Sequence, residues 1–254
     1  MGENGPKVLL IMGYGMRGKV WKPQVDELRK HCKVLFFDNR GIGESDAIGQ
    51  PISMKDMAHD SLRVLDEAEW NDDVHVVGVS MGGMIAQELA LCAPARCASL
   101  TLIATHAGGP AKFLPPAKGI VRFVATQLAS ADKRPQALAK LLYPRSFLQG
   151  CNREQLASRM KLQMGDAASK VTMRRQLAAI RHHDTRDRLG NLALPTLIVK
   201  PEKDILVKPR HSDELHQCIA GSSLMRLPDA GHGVIFQSAK ELNRGLLDHF
   251  KGNS

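Results

Sequence analysis

Apolar positions along the chain fall into two alternating kinds of segment. Short runs rich in β-branched residues occur at Val8–Met12, Val34–Phe37, Val74–Val79, Leu100–Ala104, Leu197–Val199 and, more weakly, Leu224–Leu227. Their length and composition predict strands. Between them, Lys19–His31, Met54–Trp70, Met81–Ala93 and Ala239–Phe250 repeat their apolar residues at three- and four-residue spacing, the period of a helix with one buried face. Strands alternating with helices predict an α/β domain, a mostly parallel sheet of about six strands with helices on both faces. The alternation breaks once. From Ala104 to Pro195 no strand pattern appears, while helical patterns lie near Gly119–Ala129, Gln136–Leu142, Arg153–Met164 and Val171–Ile180. That stretch is too long for a structureless loop. Residues 107–190 are therefore expected to form a helical cap, inserted in a core made of residues 1–106 and 191–254.

Composition narrows the classes. A chain of 254 residues, 43% hydrophobic and 24% charged, fits one ordinary globular domain. Its apolar runs fall far short of the roughly 20 residues of a spanning helix, and Met1–Lys7 lacks the basic and apolar regions of a signal peptide. A cytoplasmic protein with no stable membrane insertion is expected. Cys32, Cys92, Cys97, Cys151 and Cys218 are odd in number and contain no C-x-x-C pair, which favours reduced thiols over a disulfide framework or a zinc site. The net charge of +9 raises nucleic acid or anionic lipid as a partner. The basic residues are spread through the chain, however, and their densest stretch, Arg174–Arg188, is interrupted by Asp184 and Asp187. It reads as a solvated helical face. Aromatics at 4% leave few platforms for stacking bases, so no nucleic-acid partner is expected. Oligomeric state does not follow from these patterns.

Chemistry enters at Gly78-Val79-Ser80-Met81-Gly82. This G-x-S-x-G string ends a strand and opens a helix, the context in which a sharp turn exposes a serine hydroxyl. It also leaves the N–H of Met81 at a helix N-terminus, where an oxyanion would form. A hydroxyl needs a neighbouring base, and His232 in Asp229-Ala230-Gly231-His232-Gly233 lies in a turn-rich loop before the last helix. His106 follows another strand end and could line a substrate pocket, whereas exposure is expected for His182 and His183. An imidazole in turn needs a carboxylate to fix its tautomer. Asp204, five residues past a strand core, is the stronger candidate, with Glu202 its competitor. The loop Ile11–Met16 should supply a second oxyanion donor, the N–H of Tyr14, with Gly13 permitting close approach to substrate. No metal ligation pattern accompanies these residues.

Four segments in order carry a resemblance. They are Leu9-Leu10-Ile11-Met12-Gly13-Tyr14-Gly15, Phe37-Asp38-Asn39-Arg40-Gly41-Ile42-Gly43-Glu44-Ser45, Gly78-Val79-Ser80-Met81-Gly82-Gly83-Met84 and Ala230-Gly231-His232-Gly233. Together they resemble the α/β-hydrolase superfamily, especially its small esterase and 3-oxoadipate enol-lactonase-like branch. The resemblance implies a Ser80–Asp204–His232 triad, an oxyanion hole from Tyr14 and Met81, no cofactor, and a variable cap over a small ester-like substrate. Three departures stand out: Met12 where many members carry His, Pro201 where Gly is frequent, and no amino-terminal strand hairpin, because Val8 already begins the first strand. The expected function is hydrolysis of a small ester, lactone or thioester through an acyl-enzyme. A ligand-binding receptor or non-catalytic scaffold on the same fold is the alternative.

Overall fold

The computed structural model describes residues 1–109, 115–164 and 168–253. Six strands, β1 (Lys7–Ile11), β2 (Lys33–Phe36), β3 (Val74–Val79), β4 (Cys97–Ile103), β5 (Thr196–Pro201) and β6 (Ser223–Leu227), form one sheet in the order β2-β1-β3-β4-β5-β6. Every neighbouring pair is parallel. Parallel neighbours require crossovers, and helices α1 (Lys22–Leu28), α2 (Met54–Glu67) and α3 (Met81–Cys92) occupy the first ones. Among the described residues, five more helices lie between β4 and β5: α4 (Ala117–Leu128), α5 (Arg134–Leu142), α6 (Arg145–Gly150), α7 (Arg153–Met164) and α8 (Lys170–His182). Helices α9 (Arg210–Cys218), α10 (Val234–Gln237) and α11 (Ala239–Lys251) complete the chain.

Alternation along the strands builds the two core layers. Leu9, Ile11, Val76, Leu102 and Ile198 face one side, where they pack with Met57 and Leu65 of α2, Ile85 and Leu89 of α3, and Leu215 of α9. Val8, Leu10, Val77, Val79 and Val199 face the other, against Trp21, Leu28 of α1, and Leu246 and Phe250 of α11. Strands covered on both faces are apolar over most of their length, which makes them readable in the sequence. A third cluster belongs to the inserted helices: Leu138, Leu141, Leu142, Tyr143 and Met160 pack on Ile205, Leu206 and Phe236, beyond the ends of β5 and β6.

Some boundaries move. The first helical pattern opens as a 3₁₀ turn over Gly18–Trp21, because Pro23 favours the first turn of the α-helix that follows. Strand β4 starts three residues before its apolar run, pairing Cys97 with Val74 across an irregularity at Val74/His75. The outer edge of β2 is covered, since Met1 and Val34 exchange backbone hydrogen bonds of 2.7 and 2.6 Å. Such pairing removes the exposed edge that a short sheet would present.

The inserted helices leave and rejoin the core at one narrow place. Thr185 N donates to Ala107 O (2.8 Å), and Gly109 N to His183 O (3.2 Å). The Thr185 hydroxyl also donates to Gln87 Oε1 (2.6 Å), and Arg188 grips Glu88 through two bonds of 2.8 and 2.6 Å. Gln87 and Glu88 lie on α3, so this neck is anchored to the helix that begins at Ser80. His183 corrects an expectation. It is buried rather than exposed, with its Nδ1 3.9 Å from Glu88 Oε1, because α8 ends where the chain dives back into the core.

Burial lowers the pKa of His183 from 6.5 to about 4, and it does the same to His75, lowered from 6.5 to about 4. His75 stacks on Phe250 at 4.6 Å. Both are neutral in the fold but take a proton when unfolded below about pH 6.5. Their contribution to stability is therefore complete above that value and is lost as pH falls toward about 4. Urea midpoints should drop between neutrality and pH 5, and the drop should be smaller in His183→Leu.

Candidate active site

Ser80 sits between β3 and α3 with φ 56° and ψ −120°, a backbone state that costs a non-glycine residue about 1–3 kcal/mol. Its surroundings enforce it. Ser80 N donates to Ile103 O (2.9 Å), and Ser80 O accepts from Gly83 N (2.9 Å) and from the Thr105 hydroxyl (2.8 Å). The flanking glycines are steric requirements: a Cβ on Gly78 would lie 2.2 Å from Gly82 O, and one on Gly82 would lie 2.1 Å from Ile11 O.

The turn delivers the hydroxyl of Ser80 to Nε2 of His232 at 3.1 Å. Nδ1 of the same ring lies 2.7 Å from Asp204 Oδ2. A carboxylate only accepts, so Nδ1 carries the hydrogen and Nε2 offers its lone pair to the serine. Asp204 is itself fixed, because its Oδ1 accepts from Leu206 N (2.7 Å) and Val207 N (3.0 Å). The Asp204 side chain is 1% exposed and that of His232 is 10% exposed. Glu202, the competing acid, instead pairs with Arg226 at 3.3 Å.

Two loops hold the imidazole. Lys203 N donates to Ala230 O (2.8 Å), joining the Asp204 and His232 loops, and Gly233 N donates to Leu142 O (2.9 Å) at the end of α5. The Tyr143 ring covers Gly233 so closely that a Cβ there would stand 2.3 Å from it. The inserted helices thus help to position His232.

Gly13 lies directly over the serine, since a Cβ built on it would meet Val79 O at 3.1 Å and Ser80 Cβ at 3.2 Å. The N–H groups of Tyr14 and Met81 have no acceptor among the described residues. They flank the serine from the loop after β1 and from the first turn of α3. Burial pushes the Tyr14 phenol up to about 12, so it stays protonated and brings no charge to the site.

His106 is held by neighbours of its own. It is 5% exposed, its Nδ1 accepts from Gly108 N at 2.9 Å, and its ring lies 5.7 Å from that of His211. These contacts place the ring beside the neck of the insertion. Two surface cavities of about 380 and 330 Å³, one beside Arg17 and Phe37 and one beside Phe147 and Phe236, are not lined by Ser80, Asp204 or His232. Neither is the chamber in which this serine would act.

Sequence reasoning missed the supports of the β1 loop. Asn39 Nδ2 donates to the carbonyl of Met12 (2.8 Å), the position at which many members of the resembled superfamily carry histidine. Gln176 of α8, fully buried, accepts from Gly15 N (3.0 Å) and donates to Arg40 O (3.3 Å). The only signal was that Thr172, Gln176 and Ala179 share one helical face, and nothing in that spacing specifies its partner. Gln176→Ala is expected to lower kcat about tenfold with KM little changed, by loosening the loop that carries the Tyr14 N–H. Steady-state kinetics beside a thermal melt would separate that outcome from simple destabilisation.

Residues 6–239 match the sequence profile of the family described as the alpha/beta hydrolase fold. The chain belongs to this family. Among relatives of this α/β hydrolase is RutD of Variovorax paradoxus, a carbamate hydrolase by name, 31% identical over 252 residues that span 96% of this chain and 91% of RutD. A hydrolase from Pseudomonas aeruginosa shares the fold at a TM-score of 0.81 and 27% identity, covering 98% of this chain and 91% of its own. The enol-lactonase of Burkholderia xenovorans does so at 0.83 and 26%, covering 98% and 94%. The α/β hydrolase is accordingly a hydrolytic enzyme. No helix among its described residues is long and apolar enough to cross a membrane.

Proposed function

We propose that this α/β hydrolase cleaves a small ester, lactone or thioester through an acyl-enzyme on Ser80. The observation that carries the reading is the continuous run Ser80 Oγ, His232 Nε2, His232 Nδ1, Asp204 Oδ2, at 3.1 and 2.7 Å. His232 takes the hydroxyl proton as Ser80 attacks the carbonyl. The N–H groups of Tyr14 and Met81 hold the oxyanion, Gly13 lets the substrate approach, and Asp204 stabilises the imidazolium. His232 then returns the proton to the leaving group, and water repeats the sequence to release the acid. Every step uses groups of this chain and water.

Residues 107–190 act in this reading as a cap that shapes the acyl pocket, since α5 holds Gly233 and α8 holds Gly15. The names of the relatives add carbamates and enol-lactones to the carbonyl compounds worth testing, because both pass through the same kind of oxyanion. His106 has no part in the steps. Its ring is held by Gly108 and packs near His211.

The test is a panel of p-nitrophenyl esters of rising chain length with lactones and an aryl carbamate, run on wild type and Ser80→Ala, beside labelling by a fluorophosphonate. Turnover with serine-dependent labelling is expected. Labelling that survives Ser80→Ala would show the wrong nucleophile, and ligand binding without turnover would point to a receptor on the same fold.

A further inference from the structure

The charge of this protein is unevenly placed. Residues 107–190 hold 16 Lys and Arg against 5 Asp and Glu, a net +11, whereas the rest of the chain holds 19 against 21, a net −2. The basic residues alone looked dispersed; the acidic ones are what the inserted helices lack. Exposed large hydrophobic side chains are concentrated in the same segment: apart from Met1, those among the described residues are Ile120, Val121, Val124 and Leu128 of α4, and Val171 of α8.

Helix geometry turns four of these into one surface. At 100° per residue, Ile120, Val121, Val124 and Leu128 fall within a single stripe about 100° wide. Val121 is 67% exposed and Leu128 is 81% exposed. The opposite side of α4 is occupied by Gly119 against Ile205 O, the buried Thr126, and Phe123, whose ring lies 6.4 Å from that of Tyr14. The bare stripe is thus the back of the helix whose front reaches the β1 loop. Lys118 on α4 and Lys133 and Lys140 beside and along the neighbouring α5 are exposed, with Asp132 as the acidic residue in that part of the chain.

We infer that the outer face of α4, with the cations around it, docks on an anionic lipid surface. An interfacial helix joins an apolar face, which enters the boundary between headgroups and acyl chains, to basic residues that meet anionic headgroups. The stripe and Lys118, Lys133 and Lys140 supply both parts. A second copy of this chain is a poor occupant, because apposing two such faces would bring two +11 segments together across an apolar contact. Nucleic acid would satisfy the charge but leave the stripe in water. Docking of this kind lays the helix in the interface without crossing it, and it does not depend on the hydrolytic reading of Ser80.

Flotation of the full chain with vesicles tests the inference, using phosphatidylcholine alone and phosphatidylcholine with about one-third phosphatidylglycerol. Wild type should float with the anionic vesicles, remain behind with the neutral ones, and bind less as salt screens the headgroups. The pairs Val121→Asp with Leu128→Asp and Val121→Ser with Leu128→Ser should each weaken binding by about tenfold or more. Lys118→Glu with Lys133→Glu and Lys140→Glu should do the same. All these positions are exposed, so thermal melts of the variants should stay close to wild type. Ser80→Ala should float like wild type, which separates docking from catalysis. Failure of wild type to float with anionic vesicles would overturn the inference. So would undiminished flotation of both stripe variants, or a concentration-dependent dimer that Leu128→Asp dissolves.

Discussion

Ser80→Ala is expected to lower kcat/KM for a p-nitrophenyl ester by about five to six powers of ten, an effect that only loss of His232 should match in this α/β hydrolase. In the proposed mechanism the hydroxyl at 3.1 Å from His232 Nε2 is the group that forms the acyl bond. Without it the base can at best activate a water that nothing positions. What survives comes from the N–H groups of Tyr14 and Met81 and from binding, which together leave a residue of about 10³–10⁴ over the uncatalysed rate in enzymes of this kind. Alanine fits the space and keeps the bonds of the Ser80 backbone to Ile103 and Thr105, so the melting temperature should change little. A loss below about a hundredfold, in protein free of wild type, is incompatible with an acyl-enzyme on this residue.

Asp204→Asn should cost about four powers of ten. Asparagine retains an Oδ1 to accept from Leu206 N and Val207 N, so the loop keeps its shape. Its amide nitrogen, however, presents hydrogens toward the imidazole where Oδ2 accepted one at 2.7 Å. The ring answers by moving its own hydrogen to Nε2, which can then no longer accept from Ser80. An imidazolium formed during attack would also lose its buried counter-charge. The kinetic signature is a fall in kcat with fluorophosphonate labelling slowed in proportion. A variant that labels as fast as wild type would remove Asp204 from the mechanism and reopen the question of which acid serves His232.

The sheet was legible because of how it is covered. Strands buried on both faces are apolar along most of their length, so β1, β3 and β5 stand out as near-continuous runs even with His75 in β3 and Lys200 in β5. Less regular elements were harder to place. Strand β6, at the sheet edge, is exposed or half-buried at every position but its last, and its pattern is correspondingly weak. The Cys97–Ser99 start of β4 is set by pairing with β3 rather than by its own composition. His183 looked like a surface residue of a basic stretch because local charge reports the helix face around it. It cannot report the core that the chain is about to enter.

By itself, the sequence determined the parts whose chemistry is local. The G-x-S-x-G turn has two glycines because any Cβ there would strike backbone, and a hydroxyl, an imidazole and a carboxylate were each found at the end of a strand. Only the tertiary structure decided which of them meet. Residues 152 and 28 positions apart come within hydrogen-bonding distance because parallel strands place their carboxyl ends along one sheet edge. The same folding sent His106 to the neck, chose Asp204 over Glu202, and brought Gln176 from a distant helix to the β1 loop. Such pairings are three-dimensional contacts between segments far apart in the chain, and residue type and spacing carry no record of the distance that folding closes between them.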